Sequence, residues 1–188
     1  MNFSRNKIWF LPLLVVLLYP LWGDFVKKFL TVNVDEMNFV KQLVSKENPQ
    51  FRMEGFTLYQ TGNGKLELKL LADAVLSGDP GTSEYRLKGV HCTLYGEDEQ
   101  ETIITGGQAL YVTEQQLITI VDEVVVNGNN GEFLLETDAL RYFTFYKVAK
   151  TATPVVLKND KGIIRGDSMM YNMKTGGFRI TGNVVCEL

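Results

Sequence analysis

A repeat of roughly thirty residues runs from Asp73 to the end of this chain, and it limits the folds open to the sequence. Full copies open with a polar residue, then Ala or Ser, then Leu or Met, at Gln108, Asp138 and Asp167. A weaker copy opens at Asp73. The full copies close on paired or tripled valines, at 124–126, 155–156 and 184–185. A unit of two strands and a turn cannot bury its apolar face alone, so we expect the copies to stack around one continuous interior.

Apolar and polar residues alternate from Phe51 onward in short runs separated by turn residues, which is the pattern of half-buried β-strands. No stretch after residue 50 has helical spacing over a helix length. The sequence therefore predicts an all-β domain of stacked antiparallel strands over 51–188. We expect a bulge at Gly182, structural aspartates at strand starts (Asp73, Asp138, Asp167), and turns at 62–64, 77–81, 96–101, 128–131, 159–162 and 175–177.

An uncharged apolar run lies near the N-terminus, from Ile8 to Trp22. As a helix it spans about 22 Å, and flanking aromatic and basic side chains extend it toward a bilayer core of about 30 Å. We therefore predict a cytoplasmic stub over 1–7 and a single transmembrane anchor helix over 8–26. A cleaved signal peptide is the alternative, although no small-residue cleavage site follows the run.

Residues 27–50 are expected to connect this anchor to the β domain as a linker or a short amphipathic segment. Asn33 is a candidate N-cap with Glu36 three residues later, and Pro49 ends the pattern. Apolar residues recur in between at near-helical spacing, at Val34, Met37, Val40, Leu43 and Val44.

Charge and composition argue against several classes of protein. The net charge is −3 with both signs mixed along the chain, so no basic face for nucleic acid is expected. The two cysteines, Cys92 and Cys186, lack metal or redox spacing, and whether they form a disulfide stays open. With His91 as the sole histidine, we expect no metal site and no cofactor. Nucleophile, zinc-protease and phosphate-loop motifs are missing, so we expect no enzyme and no catalytic residue.

Five segments together resemble the LptC family, the membrane-anchored periplasmic component of the lipopolysaccharide export system. The likeness lies in EGFTLYQTGNGKLELKLLADAV (54–75), GGQALYVTEQQLITIVDEVVV (106–126), GEFLLETDALRY (131–142), TPVVLKNDKGIIRGDSMMY (153–171) and TGGFRITGNVVCEL (175–188). The short stub and apolar anchor also match, so the resemblance covers almost the whole chain.

The resemblance implies an OstA-like β-jellyroll in the periplasm of a Gram-negative bacterium, held in the inner membrane by one helix. It implies a carrier that receives lipopolysaccharide in an apolar groove from an ABC transporter of the LptB/LptF/LptG type. The same resemblance implies transfer onward, from the C-terminal edge, to a soluble bridge protein that resembles LptA.

Large apolar side chains on one face of such a sheet serve as core, as groove, or as both. Our candidates for the lipid-binding groove are Ile104, Ile118, Ile120, Phe133, Leu135, Ile164, Phe178, Ile180 and Val184. The last strand carries no Pro and no block of lysines, which leaves it available for strand addition by a partner. The candidates for this partner-binding edge are Phe178, Ile180, Val184 and Val185.

Two other functions remain as alternatives. If the N-terminal run is cleaved, the same β domain is expected to act as a soluble bridge protein similar to LptA. If the apolar face is only a packed core, the domain is expected to act as a periplasmic interaction scaffold that does not bind lipid.

Overall fold

The computed structural model describes residues 51–77, 83–96 and 100–187. The chain divides into two compact units, Met1–Asn33 and Val34–Leu188, and every described residue belongs to the second. The predicted stub (1–7), anchor (8–26) and connecting segment (27–50) lie outside the described residues. Within the described ranges, no helix has the length and apolar character needed to cross a bilayer.

The described residues form one antiparallel sheet of twelve strands, which confirms the predicted all-β class. The long strands are β1 (Phe51–Gly62), β2 (Lys65–Ser77), β3 (Glu84–Tyr95), β4 (Glu101–Val112), β5 (Leu117–Gly128) and β6 (Phe133–Phe143). The short strands are β7 (Val148–Thr151), β8 (Val155–Asn159), β9 (Gly162–Gly166), β10 (Ser168–Asn172), β11 (Gly177–Thr181) and β12 (Val185–Glu187). A one-turn 3-10 helix, Asn129–Gly131, connects β5 to β6.

The sheet divides at β6 into two branches. The first half of β6 pairs with β8, which pairs with β9 and then β12, whereas its second half pairs with β7, followed by β10 and β11. We call the side that contains β7, β10 and β11 half A, and the side that contains β8, β9 and β12 half B. Strands β1 to β6 are long enough to cross both halves.

A line of register breaks, here called the bend, separates the two halves. The pairing of β2 with β3 skips Asp73 and Gly89, and that of β5 with β6 skips Asp122, Glu123 and Asp138. Similar breaks fall at Gly55 in β1 and at 106–107 in β4. Gly55, Gly89, Asp122 and Glu123 have positive φ, which interrupts the regular strand. The aligned breaks allow the whole sheet to fold across one line.

The bend explains the recurring aspartates and corrects their predicted position. Asp73 and Asp138 lie inside β2 and β6, and Asp167 lies between β9 and β10, so they mark mid-strand breaks rather than strand starts. The Gly89 backbone approaches the Asp73 carboxylate so closely that a Cβ there would clash, and Gly182 approaches Asp167 in the same way. Gly182 has φ +75° and separates β11 from β12, as the predicted bulge requires.

One repeat copy is also out of step with the predicted alignment. Ala139 and Ala109 occupy the same position in their repeat copies. Ala139 faces away from the core, whereas Ala109 is fully buried inside the core. The reason is that the break in β4 falls on Gly107, one residue before this copy opens, whereas in β2 and β6 the break falls on the opening aspartates, Asp73 and Asp138.

Three buried threonines lie at the bend, where the pairing partner of β6 changes from β8 to β7. The hydroxyl of Thr153 lies 2.7 Å from that of Thr137 and 2.9 Å from that of Thr151. Thr137 also donates to the carbonyl of Pro154. These bonds satisfy polar groups that the strand break would otherwise leave buried and unpaired.

The hydrophobic core lies between the two halves and draws on both. It contains Leu68, Cys92, Ile104 and Leu157 from half B together with Leu87, Ile118 and Leu140 from half A. Most of these side chains are fully buried. The single cluster runs from β2 to β10, which confirms the predicted continuous interior.

The turns at 62–64, 159–162 and 175–177 lie where the sequence predicts them, and 128–131 forms the one-turn helix. The segments 77–81 and 96–101 lie only partly within the described residues. Two turns were not predicted, at 113–116 and 144–147, because neither contains Gly or Pro. Gln116 and Lys147 adopt the left-handed conformation there, with φ of 49° and 54°.

Candidate functional site

The candidate site is the interior between the two halves, together with its open end at β11 and β12. Five of the predicted groove residues are buried in the core cluster, namely Ile104, Ile118, Ile120, Phe133 and Leu135. Ile164 and Ile180 are half-buried and pack against the margin of that cluster. The structure therefore brings seven of the nine predicted residues into one interior.

The remaining two groove candidates lie at the exposed C-terminal end. Phe178 in β11 is 43% exposed, and its ring centroid lies 6.5 Å from that of Phe133. Val184 is 49% exposed and lies in the break between β11 and β12. Apolar surface thus continues from the buried core through Phe133 and Phe178 to solvent.

The predicted partner edge is the last strand in each branch of the sheet. β11 pairs with β10 and β12 pairs with β9, so each is an edge strand among the described residues. Val185 is 52% exposed in β12. Arg165 and Glu187 form an ion pair across β9 and β12 and help to hold the terminal strand in register. The role of this edge in binding a partner remains a prediction.

Polar contacts join the two halves at their hairpin ends, and we call this region the mouth. Lys147 Nζ, in the β6–β7 turn of half A, lies 2.8 Å from Glu67 Oε1 in half B. Their side chains are about a quarter exposed, at 27% and 24%. The Tyr171 hydroxyl of half A donates to Asn129 Oδ1 of half B at 2.9 Å. These two contacts bridge the halves where the interior would otherwise open to solvent.

Two tyrosines line the interior just inside the mouth. Burial raises the pKa of Tyr142 far above its usual value, and the charges of Cys92 and Glu67 add to the effect. Burial also raises the pKa of Tyr171. The Tyr171 ring meets that of Phe133 edge-on at 5.3 Å. Both phenols stay neutral at physiological pH, so neither adds a negative charge to the lining of the mouth.

These tyrosines were missed in the sequence, although the repeat contains the evidence for them. Tyr142 and Tyr171 stand four residues after Asp138 and Asp167, so they occupy the same repeat position. Alternation from the bend places this position on the inner face. Lys147 was not predictable in the same way, because its contact with Glu67 joins residues that are distant in sequence.

The space within the mouth is small. A cavity of about 20 Å³ lies among Glu67, Tyr95, Tyr142, Lys147 and Met173. A cavity of this volume holds about one water molecule and is far too small for an acyl chain. Larger clefts of about 660 and 540 Å³ follow the bend, but glycines and carboxylates line much of them. The described conformation is therefore closed around its own side chains.

The cysteines are not bonded to each other. Cys92 is buried in the core and Cys186 is exposed on β12, and both are free thiols. Burial raises the pKa of the Cys92 thiol to about 12. In the part of the chain that is described, no three His, Cys, Asp or Glu side chains are grouped closely enough to hold a metal ion.

Comparison of the structure with solved structures finds the same fold in a lipopolysaccharide transport protein. That protein is LptH, the LptA-homologous periplasmic component of the conserved lipopolysaccharide transport device from Pseudomonas aeruginosa. The TM-score is 0.54 at 10% sequence identity, over 64% of this chain and 94% of LptH. At this identity the likeness concerns the fold alone.

Sequence comparisons give a second and independent result. A search of curated proteins finds no match. A family model described as lipopolysaccharide-assembly, LptC-related, matches residues 14–186, which include every strand of the sheet except the final residue of β12. With nearly the whole chain matched, and with a sheet that folds as in LptH, this protein belongs to the LptC-related family of lipopolysaccharide-assembly proteins.

Proposed function

We propose that this protein is a membrane-anchored periplasmic carrier of lipopolysaccharide and has no enzymatic activity. In this proposal it receives the lipid from an inner-membrane ABC transporter of the LptB/LptF/LptG type. It then passes the lipid from its C-terminal edge to a soluble bridge protein similar to LptA. The family and the fold support the general role in lipopolysaccharide transport, whereas the anchor, the transporter and the transfer are our own inference.

The observation that carries the proposal is the unbroken apolar path from the core to the open end of the sheet. Buried Phe133 contacts Tyr171 on one side and half-exposed Phe178 on the other. Ile164 and Ile180 pack along the same margin. A lipid that enters between the halves would therefore meet apolar side chains all the way to the edge.

Energetics explain why a carrier needs such a path. Burying one methylene contributes about 0.8 kcal/mol, so exposing an acyl chain of about a dozen carbons to water costs roughly 10 kcal/mol. Pairing the edge of one sheet with the edge of another would extend the apolar interior across two proteins without a gap. Binding alone sets no direction, so the direction must come from ATP hydrolysis by the transporter.

Membrane attachment rests on the uncharged run from Ile8 to Trp22, which precedes the β domain. A bilayer-spanning helix there would place the β domain in the periplasm if the N-terminus is cytoplasmic. The soluble bridge alternative requires cleavage after this run, so N-terminal sequencing of the mature protein distinguishes the two.

Site-specific photocrosslinking in living Gram-negative cells tests the carrier function. A photoreactive amino acid replaces Phe178, Ile180 or Phe133, with exposed Arg179 in the same strand as the control position. We expect adducts with lipopolysaccharide at the first three positions, dependent on cellular ATP, and none at Arg179. A folded, membrane-attached protein without an adduct at any of the three would contradict lipid binding in the interior.

One observation favours the scaffold alternative. Ile104, Ile118, Ile120 and Leu135 are at most 1% exposed, so in the closed conformation the interior is filled by protein side chains. Under this alternative the apolar face is only a core, and the edge strands bind partner proteins without lipid. Crosslinks from Phe178 to a protein, in the absence of any lipid adduct, would support it.

A further inference from the structure

An apolar patch lies on the outer surface of half A, on the face turned away from the core. It consists of Leu110, Val121 and Ala139, with Val112 packed against them, and we call it the outer patch. Val121 is fully buried, although its neighbours Ile120 and Ile118 already fill the inner face. A side chain on the outside of a sheet can be fully buried only if something covers it.

The burial is confined to one part of this face. A cross-strand row runs from Leu76 in β2 to Arg179 in β11, with its members paired in register. Leu76, Leu110 and Thr119 are buried, whereas Lys150, Met170 and Arg179 are exposed. At about 4.8 Å per strand, the covered zone from β2 to β6 is about 19 Å wide. A cover of limited length therefore lies over β2–β6 alone.

Polar atoms on the same face also lack partners. Arg86 Nε and Gln108 Oε1 are buried and have no hydrogen-bond partner among the described residues. Arg86 pairs in register with Leu110, and Gln108 pairs with Val121, so both atoms border the outer patch. An unsatisfied buried polar group costs about 1–3 kcal/mol. The cover is therefore expected to bring polar groups as well as apolar ones.

The described strands do not supply this cover. All twelve belong to one sheet, and the halves enclose the core on the opposite face. The compact unit that contains the sheet begins at Val34, which is 17 residues before β1 begins at Phe51. The covering segment is therefore to be sought between these two residues.

We propose that residues 34–47 form an amphipathic helix that packs on the outer patch. Its apolar residues from Val34 to Val44 extend over about 15 Å, and a helix is about 10 Å wide, so one helix suits the covered zone. Glu36 and Glu47 supply carboxylates, and Asn38 supplies an amide, for the polar atoms at the border of the outer patch. The connection to the β domain is thus a structural layer of that domain.

Thiol labelling of the full-length chain tests this packing. The probe is Val121→Cys in a Cys186→Ser background, where the buried Cys92 is the other thiol. Val40→Asp places a charge on the apolar stripe and should expel the helix, so we expect maleimide to label the probe at least about tenfold faster. Gln42→Asp is the matched control on the polar side of the helix, and it should change the rate by less than about twofold.

Several outcomes would overturn the proposal. An equal probe rate in the Val40→Asp and Gln42→Asp chains would mean that another segment covers the patch. Protection that disappears on dilution would mean that a second copy covers it. If Val121→Cys fails to fold, Ala139→Cys is the second probe. Oxidation of Val40→Cys with Val121→Cys should also give an intramolecular disulfide, whereas Gln42→Cys with Val121→Cys should not.

Discussion

At the scale of single residues, the bend depends on positions where the backbone leaves the strand conformation. Gly89 has φ +60°, and a Cβ at this position would lie 1.9 Å from Asp73 Oδ2. Gly64, in the β1–β2 turn, has φ +76° but open space around it. The two glycines share the left-handed conformation and differ in the space around them. Gly64 is required only for its positive φ, whereas Gly89 is required both for its positive φ and because no Cβ fits there.

The Gly89→Ala substitution should destabilise the protein by about 3 kcal/mol, because backbone strain and a clash with Asp73 act together. Gly64→Ala should cost only about 1 kcal/mol, since it adds strain without a clash. Urea unfolding of both variants, followed by circular dichroism, measures the difference. Equal losses would mean that Asp73 moves aside freely and that the bend tolerates a side chain.

At the scale of elements, the two halves behave as walls that meet at the bend and at the mouth. The bend is continuous backbone, whereas the mouth is joined by side chains such as Lys147 with Glu67 and Tyr171 with Asn129. Opening at the mouth therefore breaks fewer interactions than opening at the bend. If lipid enters the interior, the mouth is where the halves are expected to separate.

The Lys147→Met substitution removes the ion pair with Glu67, whose side chains are only about a quarter exposed. It should therefore favour opening by about 1 kcal/mol, which corresponds to a roughly fivefold increase in the labelling rate of a buried thiol. The measurement is the labelling rate of buried Cys92 in a Cys186→Ser background. Lys158→Met is the matched control, since Lys158 pairs with Glu136 on strands β8 and β6 within half B. The same acceleration in both variants would show that the mouth contact has no special role.

At the scale of the whole molecule, one core stabilises both halves, so ionisation of a buried core group acts on global stability. The pKa of the Cys92 thiol is raised from 9.0 to about 12 because the thiol is desolvated. Above pH 9 the unfolded chain loses this proton while the folded chain keeps it. The stability contributed by the neutral thiol is therefore present below pH 9 and is lost as pH rises from 9 toward 12.

Cys92→Val removes this ionisation while keeping a side chain of similar size. At about pH 10.5 the variant should lose about 2 kcal/mol less stability than the parent chain, relative to neutral pH. Urea midpoints at the two pH values provide the test. Tyr142 and Tyr171 have raised pKa values for the same reason, so some alkaline loss should remain in the variant. Identical pH profiles would show that the thiol does not titrate on unfolding.

Much of the fold was predictable because alternation and repetition are local properties. The period of two from Phe51 onward specifies strands, and the turns at 62–64 and 159–162 contain residues that favour tight turns. The repeat also indicates a continuous interior, which the core from β2 to β10 confirms. Alternation alone predicts that Ile118, Ile120 and Leu135 lie on one face of the sheet.

Contacts between residues distant in sequence were decided by the tertiary structure alone. Alternation cannot show that Asp73 and Asp138 mark a fold across strands, because a break in one strand has meaning only when it aligns with breaks in its neighbours. The ion pair of Lys147 with Glu67 spans 80 positions of sequence and arises only when the halves close. Burial of Val121 on the outer face likewise depends on a second layer.

The sequence by itself determined which residues can form strands and which faces are apolar, since both follow from local chemistry. The tertiary structure decided how the sheet folds, since that depends on pairing between distant residues.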